Sequence, residues 1–483
     1  MKQRDFVINL TILIALNLII KPFWILGIDV GVQNRVGTAD YGLYFAIFNF
    51  TYLFNMLLDM GIANFNNRNI ARHSHLLKKH FSGIFQLKLF LGIGYLIVTF
   101  FVGLMIGYNH LQLKLLFWTA INQFLNAFIL YLRSNISALQ RFKTDSLLSV
   151  LDKLLMIVIC SILLWGNITE KPFKIEWFVY SQTVSYVISF IVCISIVLRY
   201  SGWVKPKNNW LFSIMILKKS LPFAVLYLLM AFYCRIDSVM IERLLPASLA
   251  NIQTGIYASA FRLLDALVMI AYLFSVILLP LFSKMLKTKE DIFPVIKTSF
   301  SLLFFFSVTA SVILIFYAHF LLDLLYRQHV DEIAVVFKIL IPCVIPLSFT
   351  YVFGTLLTAN GNMKWLNIIS LIGIAVNLLL NFLLIPRFNA AGAAITSLSA
   401  QSTVAFIQVF IVNKKLNCSL FRLPWFNYAM YLLLLVISVF MMVKFTPLQP
   451  IYSLIISLLI ALALGFIFRI ISIKNLVFSE EKC

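Results

Sequence analysis

Apolar residues run along this chain in blocks of about 20, separated by short polar clusters, which is the length that crosses a roughly 30 Å hydrocarbon core at 1.5 Å per helical residue. Runs such as 221–230 and 432–443 show no alternation of apolar and polar positions. Membrane strands would alternate, so the blocks predict helices, which satisfy their own backbone in lipid. The spans read as 6–31, 41–66, 82–107, 113–133, 145–166, 174–199, 219–245, 251–283, 294–318, 332–358, 363–385, 391–413, 425–444 and 449–472. The longest connection follows Arg199, and none leaves room for a soluble domain.

The predicted fold class is therefore an all-α integral membrane protein of about 14 transmembrane helices. A weak internal repeat orders them. Tyr41-Gly42-Leu43-Tyr44-Phe45-Ala46 opens the second span, and Thr254-Gly255-Ile256-Tyr257-Ala258-Ser259-Ala260 opens the eighth. Six spans separate the two motifs, so both halves have the same orientation. This predicts an N-terminal lobe over 1–200 (helices 1–6) and a C-terminal lobe over 211–415 (helices 7–12). The two would be related by an axis along the membrane normal. Two additional helices follow over 424–473.

Composition and charge sharpen this picture. The 483 residues are 62% hydrophobic and 12% charged, with a mean hydropathy of +0.96, far from the balance of a soluble domain. A formal net charge of +21 would point to nucleic acid in a soluble protein. Here it tracks topology: 25 of the 39 Lys and Arg fall in or beside one alternate set of connections and 8 in the other. By the positive-inside bias both termini are expected in the cytoplasm, and no nucleic-acid partner is expected. The apolar run after Met1-Lys2-Gln3-Arg4 is too long for a cleaved signal peptide. The six cysteines and six histidines show no pairing or ligand spacing, so neither disulfide, metal nor cofactor is expected.

Six cations remain inside the spans: Lys21, Lys88, Lys153, Arg235, Arg262 and Lys338. Lys88, Lys153 and Lys338 lie near span ends and are expected to snorkel. Lys21 (beside Pro22), Arg235 and Arg262 lie deeper, where a charge costs roughly 2.5–3.5 kcal/mol on insertion scales. Two readings stay open. These cations form buried ion pairs that lock helices together, with Arg262 and Asp265 on one face and Asp237 answering a cation on another helix. Alternatively they line a cationic cavity for an anionic substrate. In the second span, Tyr52, Asn55 and Asp59 follow helical spacing and form a polar stripe on one face. Asp59 either carries a coupling proton or Na⁺, or neutralises Lys21. Asn122, Gln123 and Asn126 read as interhelical hydrogen-bonding groups. No P-loop and no carboxylate pair on a long outer loop occurs, which argues against a membrane polymerase or glycosyltransferase.

Four segments, in order along the chain, carry a resemblance. Val36-Gly37-Thr38-Ala39-Asp40-Tyr41-Gly42-Leu43-Tyr44 resembles the loop between the first two helices of bacterial polysaccharide (O-antigen/capsule repeat-unit) flippases. Leu58-Asp59-Met60-Gly61-Ile62 with Asn69-Ile70-Ala71-Arg72 resembles the end of their second helix. Arg235-Ile236-Asp237-Ser238-Val239-Met240-Ile241, followed by Gly255-Ile256-Tyr257-Ala258-Ser259-Ala260-Phe261-Arg262, is similar to their seventh and eighth. Leu384-Ile385-Pro386-Arg387-Phe388 with Ala391-Gly392-Ala393-Ala394-Ile395 is similar to the junction of their eleventh and twelfth, with Asn389-Ala390 where a glycine is usual.

That family lies within the multidrug/oligosaccharidyl-lipid/polysaccharide exporter superfamily. The resemblance implies two six-helix lobes around an alternating-access cavity lined by helices one, two, seven and eight. It implies a substrate of undecaprenyl-diphosphate-linked oligosaccharide, moved from the cytoplasmic to the periplasmic leaflet of the bacterial inner membrane. Lys21, Arg235 and Arg262 would then meet the diphosphate. Asp59, Asp237 and Asp265 would balance charge or couple an ion, and Tyr52 and Asn55 would line the cavity. Membrane lipids, a polymerase and other assembly proteins are the expected partners of a monomer. An ion-coupled small-molecule or multidrug exporter of the same superfamily is the alternative.

Overall fold

The computed structural model describes residues 16, 19–20, 22–63, 66, 70, 75–139, 141–166, 172–202, 210–416, 423–446 and 449–471. Its secondary structure is helical throughout, with no strand among the described residues. The helices are α1 (Val30–Val36, entered through a π-helical stretch Trp24–Asp29), α2 (Thr38–Leu53), α3 (Met56–Asp59), α4 (Leu76–Met105) and α5 (His110–Ala138). They continue as α6 (Phe142–Trp165), α7 (Ile175–Ser201), α8 (Trp210–Leu244), α9 (Ala247–Thr288), α10 (Phe293–Phe316), α11 (Ala318–Leu325) and α12 (Val330–Leu340). The last four are α13 (Val344–Ala359), α14 (Met363–Leu416), α15 (Trp425–Phe445) and α16 (Pro450–Ile467). Among the described residues, eleven helical segments are long and apolar enough to cross a membrane. Half of the first predicted span falls outside the described residues, and α2 is shorter than a full crossing.

Two expected spans are broken and two others are joined, each for a local reason. The span 41–66 stops at Phe54–Asn55, restarts as α3, and stops again where Met60 and Gly61 take φ of 44° and 76°. The span 332–358 is divided by a 3₁₀ turn, Ile341–Cys343, around Pro342, whose ring lacks the N–H that an α-helix needs. In α14 the expected junction near residue 390 survives as one residue, Asn389, at φ 53° and ψ −135°. Positive φ favours glycine, and Asn is among the few side chains that tolerate it. Asn389 thus makes this turn itself. A Cβ on Gly392 would come within 2.4 Å of the Leu384 carbonyl oxygen across it.

The chain divides into two compact units, residues 1–255 and 256–483. In the first, α5 packs between α2, α4, α6 and α7, and α2 also packs on α8. Lipid-facing positions such as Phe90, Ile97 and Phe101 are exposed, whereas Phe81, Leu132, Ile136 and Cys193 are buried between helices. Asn122 on α5 donates to the Val179 carbonyl (3.2 Å) and accepts from Thr183 Oγ1 (2.7 Å) on α7, the interhelical role expected of it.

The repeat motif has a direct structural counterpart in this unit. A Cβ on Gly42 would sit 2.0 Å from the Asn251 carbonyl oxygen, and a Cβ on Gly255 would sit 2.0 Å from that of Thr38. Asn251 precedes Gly255 by four residues, as Thr38 precedes Gly42. The contact is thus reciprocal, as across a local twofold axis, and only hydrogen fits at either glycine. Small residues that let backbones approach are a recurrent device for packing helices in lipid.

In the second unit, α13 packs on α14 and α10, and the last two helices attach to α10. Tyrosines bridge that attachment: Tyr428 with Ser301 and Tyr431 with Thr309, at 2.7 and 2.6 Å, and Tyr317 with Ser453 and Ser457. Between α11 and α12, His319 meets Asp331 at 2.7 Å and Asp323 at 3.2 Å. The Asp331 hydrogen bond first, then the Asp323 charge, hold its imidazolium above the ordinary histidine range.

Two outcomes follow. Gly255→Leu should cost at least about 1–3 kcal/mol of stability by overpacking against backbone, read as a fall in melting temperature in detergent. Gly94→Leu, where a Cβ meets nothing within 4 Å, should change little. For His319 the folded pKa is raised, so its contribution is complete below about pH 6.5 and lost as pH rises through the raised value. His319→Gln should therefore melt closer to wild type at pH 9 than at pH 6.

Candidate functional site

The break in the second span creates a problem that the neighbouring helix solves. A continuous helix would bond Asn55 N–H to the Thr51 carbonyl; here Asn55 N–H turns to Tyr52 O at 3.0 Å. The freed Thr51 carbonyl accepts from Tyr95 Oη at 3.0 Å. One break later, the Leu58 carbonyl accepts from Lys88 Nζ at 3.0 Å. Lys88 and Tyr95 are seven apart on α4, two turns along one face. Irregular backbone at membrane depth persists only with such protein partners.

Lys88 corrects one expectation. It does not snorkel: it is fully buried, with Nζ 2.6 Å from Asp59 Oδ1 and 5.6 Å from the Tyr131 ring centroid. An alkyl stem reaches an interface only if its path is open, and here α3, α4 and α5 enclose it. Asp59 therefore neutralises Lys88, while the alternative partner, Lys21, lies outside the described residues. Asp59 keeps about a third of its side chain exposed (32%) and also accepts from Ala63 N–H at 3.3 Å.

The broken helix also divides the expected polar stripe. Asp59 turns to α4, whereas Tyr52 turns to α8; Asn55 sits at the break itself, half-buried. The Tyr52 hydroxyl meets Tyr227 Oη at 2.7 Å, and the Arg235 guanidinium lies over the Tyr52 ring, 5.4 Å from its centroid. Tyr227 and Arg235 are eight apart on α8, on one face. Arg235 is half-buried and Tyr227 is 46% exposed. Beneath them Asp237 is buried, and Asn49 donates to Ser238 Oγ at 2.9 Å, tying α2 to α8. The result is a guanidinium and two phenols presented together, suited to an anion and to sugar hydroxyls.

A second cluster lies among α1, α6 and α7. Lys153 Nζ is 3.2 Å from Asp152, 3.4 Å from Tyr186 Oη and 5.5 Å from the Trp24 ring. Like Lys88, it is held by partners rather than extended to an interface. Trp24 stacks on Phe178 (5.8 Å), Phe178 meets Tyr44 edge-on, and Gln182 donates to Tyr44 Oη at 2.7 Å. Asp29, in the π-helical stretch, is buried nearby. At the far end of α8, Arg243 pairs with Glu242 (2.7 Å), covers Tyr108 (4.2 Å) and donates to Ile106 O, while Gln112 donates to Glu242.

Of the other expected site residues, Arg262 and Asp265 lie in the second unit, half-buried one turn apart on α9. Lys338 is exposed as expected. Tyr95, Tyr227, Lys153 and Asp29 were not singled out as site residues from sequence. Asp29 was findable as an acid inside the first predicted span; the tyrosines carry no local signal.

The profile of the family described as "Polysaccharide biosynthesis protein" matches residues 6–286. The chain belongs to that family. A comparison with curated protein sequences found no match. Among solved structures, the fold of this polysaccharide biosynthesis protein is similar to that of "Lipid II flippase MurJ, inward closed conformation". The TM-score is 0.74 at 13% identity, covering 97% of this chain and 100% of that one. It is also similar to an inward-facing "multidrug resistance MATE family transporter of the MOP superfamily" (TM-score 0.65, 14% identity, 84% of this chain and 98% of that one). The Vibrio cholerae MATE transporter VcmN gives 0.59 at 12% identity, covering 86% and 99%. The shared fold is the exporter-superfamily fold expected from sequence.

The Lys88–Asp59 pair yields an asymmetric prediction. Asp59→Leu strands a fully buried ammonium and should cost about 3–5 kcal/mol. Lys88→Met leaves a carboxylate that water can reach and should cost less. Thermal unfolding of both variants in detergent checks the order.

Proposed function

We propose that this protein flips undecaprenyl-diphosphate-linked oligosaccharide repeat units from the cytoplasmic to the periplasmic leaflet of the bacterial inner membrane. The product serves surface polysaccharide assembly. The observation that carries the reading is the Arg235–Tyr52–Tyr227 cluster in a member of a polysaccharide biosynthesis family. A diphosphate crossing the midplane must exchange water for other partners, and a guanidinium supplies charge-assisted hydrogen bonds to it. Phenol rings and hydroxyls suit the faces and edges of sugars, while the prenyl tail stays in lipid. The fold is shared with a lipid II flippase, whose substrate is also lipid-linked.

In this reading Lys21, Arg235 and Arg262 are the diphosphate cations, and Asp237 and Asp265 balance their charge or couple an ion. Asp59 is the counter-charge of Lys88, so it is a weak candidate for carrying a coupling H⁺ or Na⁺. Both termini lie in the cytoplasm, as the charge bias requires. A transporter of this kind needs no catalytic residue; alternating access moves the substrate.

The test uses cells that depend on this gene for surface polysaccharide. Arg235→Ala should lower surface polysaccharide about tenfold or more at unchanged protein level, and Arg235→Lys should retain part, because a point charge replaces the guanidinium fork. Tyr52→Phe should fall between them. Full surface polysaccharide in Arg235→Ala, or drug efflux that depends on Arg235 in a sensitive host, would reject the reading.

A further inference from the structure

The second unit contains a groove of about 530 Å³ bordered by α10, α13, α14 and the first turn of α15. Along α14 it runs from Ser402 to Asn413, about 16 Å at 1.5 Å per residue, close to the depth of one leaflet. Phe300, 1% exposed, lies at its back. Its rim carries Phe406, Phe410 and Trp425, exposed by 74%, 58% and 44%. Apolar side chains this exposed on membrane-crossing helices face hydrocarbon, so the groove opens sideways into the bilayer.

One end of the groove is charged. Asn413 is followed by exposed Lys414, and exposed Lys297 sits one turn before Phe300 on the same face of α10. Lys415 is turned over the Trp365 ring at 5.6 Å. No Asp or Glu occurs anywhere between Glu332 and Glu480. The acids before α10 have local partners: Asp291 accepts from Phe293 N–H at 3.0 Å and Glu290 from Thr288 Oγ1 at 2.7 Å. An apolar slot one leaflet deep with a basic end matches a lipid chain carrying an anionic head.

We propose that this groove is a binding site for one acyl chain of an anionic phospholipid, with its phosphate against Lys297 and Lys414. The site is separate from the Arg235 cluster and does not rest on the substrate proposed above. A polyprenyl chain is longer than one leaflet when extended, which is why a phospholipid fits this groove better.

The experiment is native mass spectrometry of the full-length, delipidated protein in detergent, offered phosphatidylglycerol, phosphatidylethanolamine or undecaprenyl phosphate. Wild type should retain one phosphatidylglycerol with about tenfold preference over phosphatidylethanolamine, as two surface lysines allow. Val409→Trp should abolish retention by filling the slot. Ser402→Trp, at the opposite end, repeats that test if the first variant misfolds. Lys297→Gln with Lys414→Gln should remove the headgroup preference while both phospholipids still bind. Retention unchanged in either filling variant would overturn the proposal. So would displacement of phosphatidylglycerol by equimolar undecaprenyl phosphate, which would make the groove a substrate-tail site. A dimer whose protomers carry no lipid would assign the groove to a second copy and overturn it as well.

Discussion

In hydrocarbon, every backbone N–H and C=O must find a protein partner. That constraint makes this chain helical, and it also decides where the helices are allowed to stop. The second helix breaks twice within ten residues, and each break releases a carbonyl. Tyr95 takes the first, on Thr51, and Lys88 takes the second, on Leu58. Both donors come from one face of α4. Lys88 is an ammonium, so it needs a counter-charge, and Asp59 is that charge. A lysine that looks misplaced in a membrane span is thus the consequence of an irregular backbone beside it.

The break redirects the polar residues of this helix. Continuous, it would present Tyr52, Asn55 and Asp59 to one space. Broken, it gives Asp59 to α4 and leaves Tyr52 to cross to α8, where it supports the Arg235 guanidinium and meets Tyr227. The proposed substrate cluster therefore depends on the same irregularity that Lys88 and Tyr95 sustain. Asn49 and Ser238 hold α2 and α8 together one turn away. The glycine crossing at Gly42 and Gly255 brings backbones close enough that neither position accepts a side chain.

A second economy recurs at Asn389. The family pattern places a glycine near this point, and this chain has Asn389-Ala390. Asn389 adopts a positive φ at this turn, a conformation that favours glycine and that Asn is among the few side chains to tolerate.

Much was legible in the sequence because the lipid solvent simplifies the code. Apolar blocks of crossing length have one stable form, so the helical class and most boundaries followed from pattern alone. The Gly42 and Gly255 motifs were visible as a repeat. Asn122 was readable as a helix-bridging amide, since an amide inside a span must bond to something. Tertiary structure decided what pattern cannot encode. Periodicity assumes an unbroken helix, so it could not show that the stripe divides after Leu53. Depth along a helix suggested that Lys88 would snorkel, but the choice belongs to the helices that enclose it. Tyr95 and Tyr227 are unremarkable in a chain rich in tyrosine and phenylalanine. They matter only because packing sets one hydroxyl against a freed carbonyl and the other beside Tyr52. Solvent dictated the elements; partners across helices, invisible in one dimension, dictated the site.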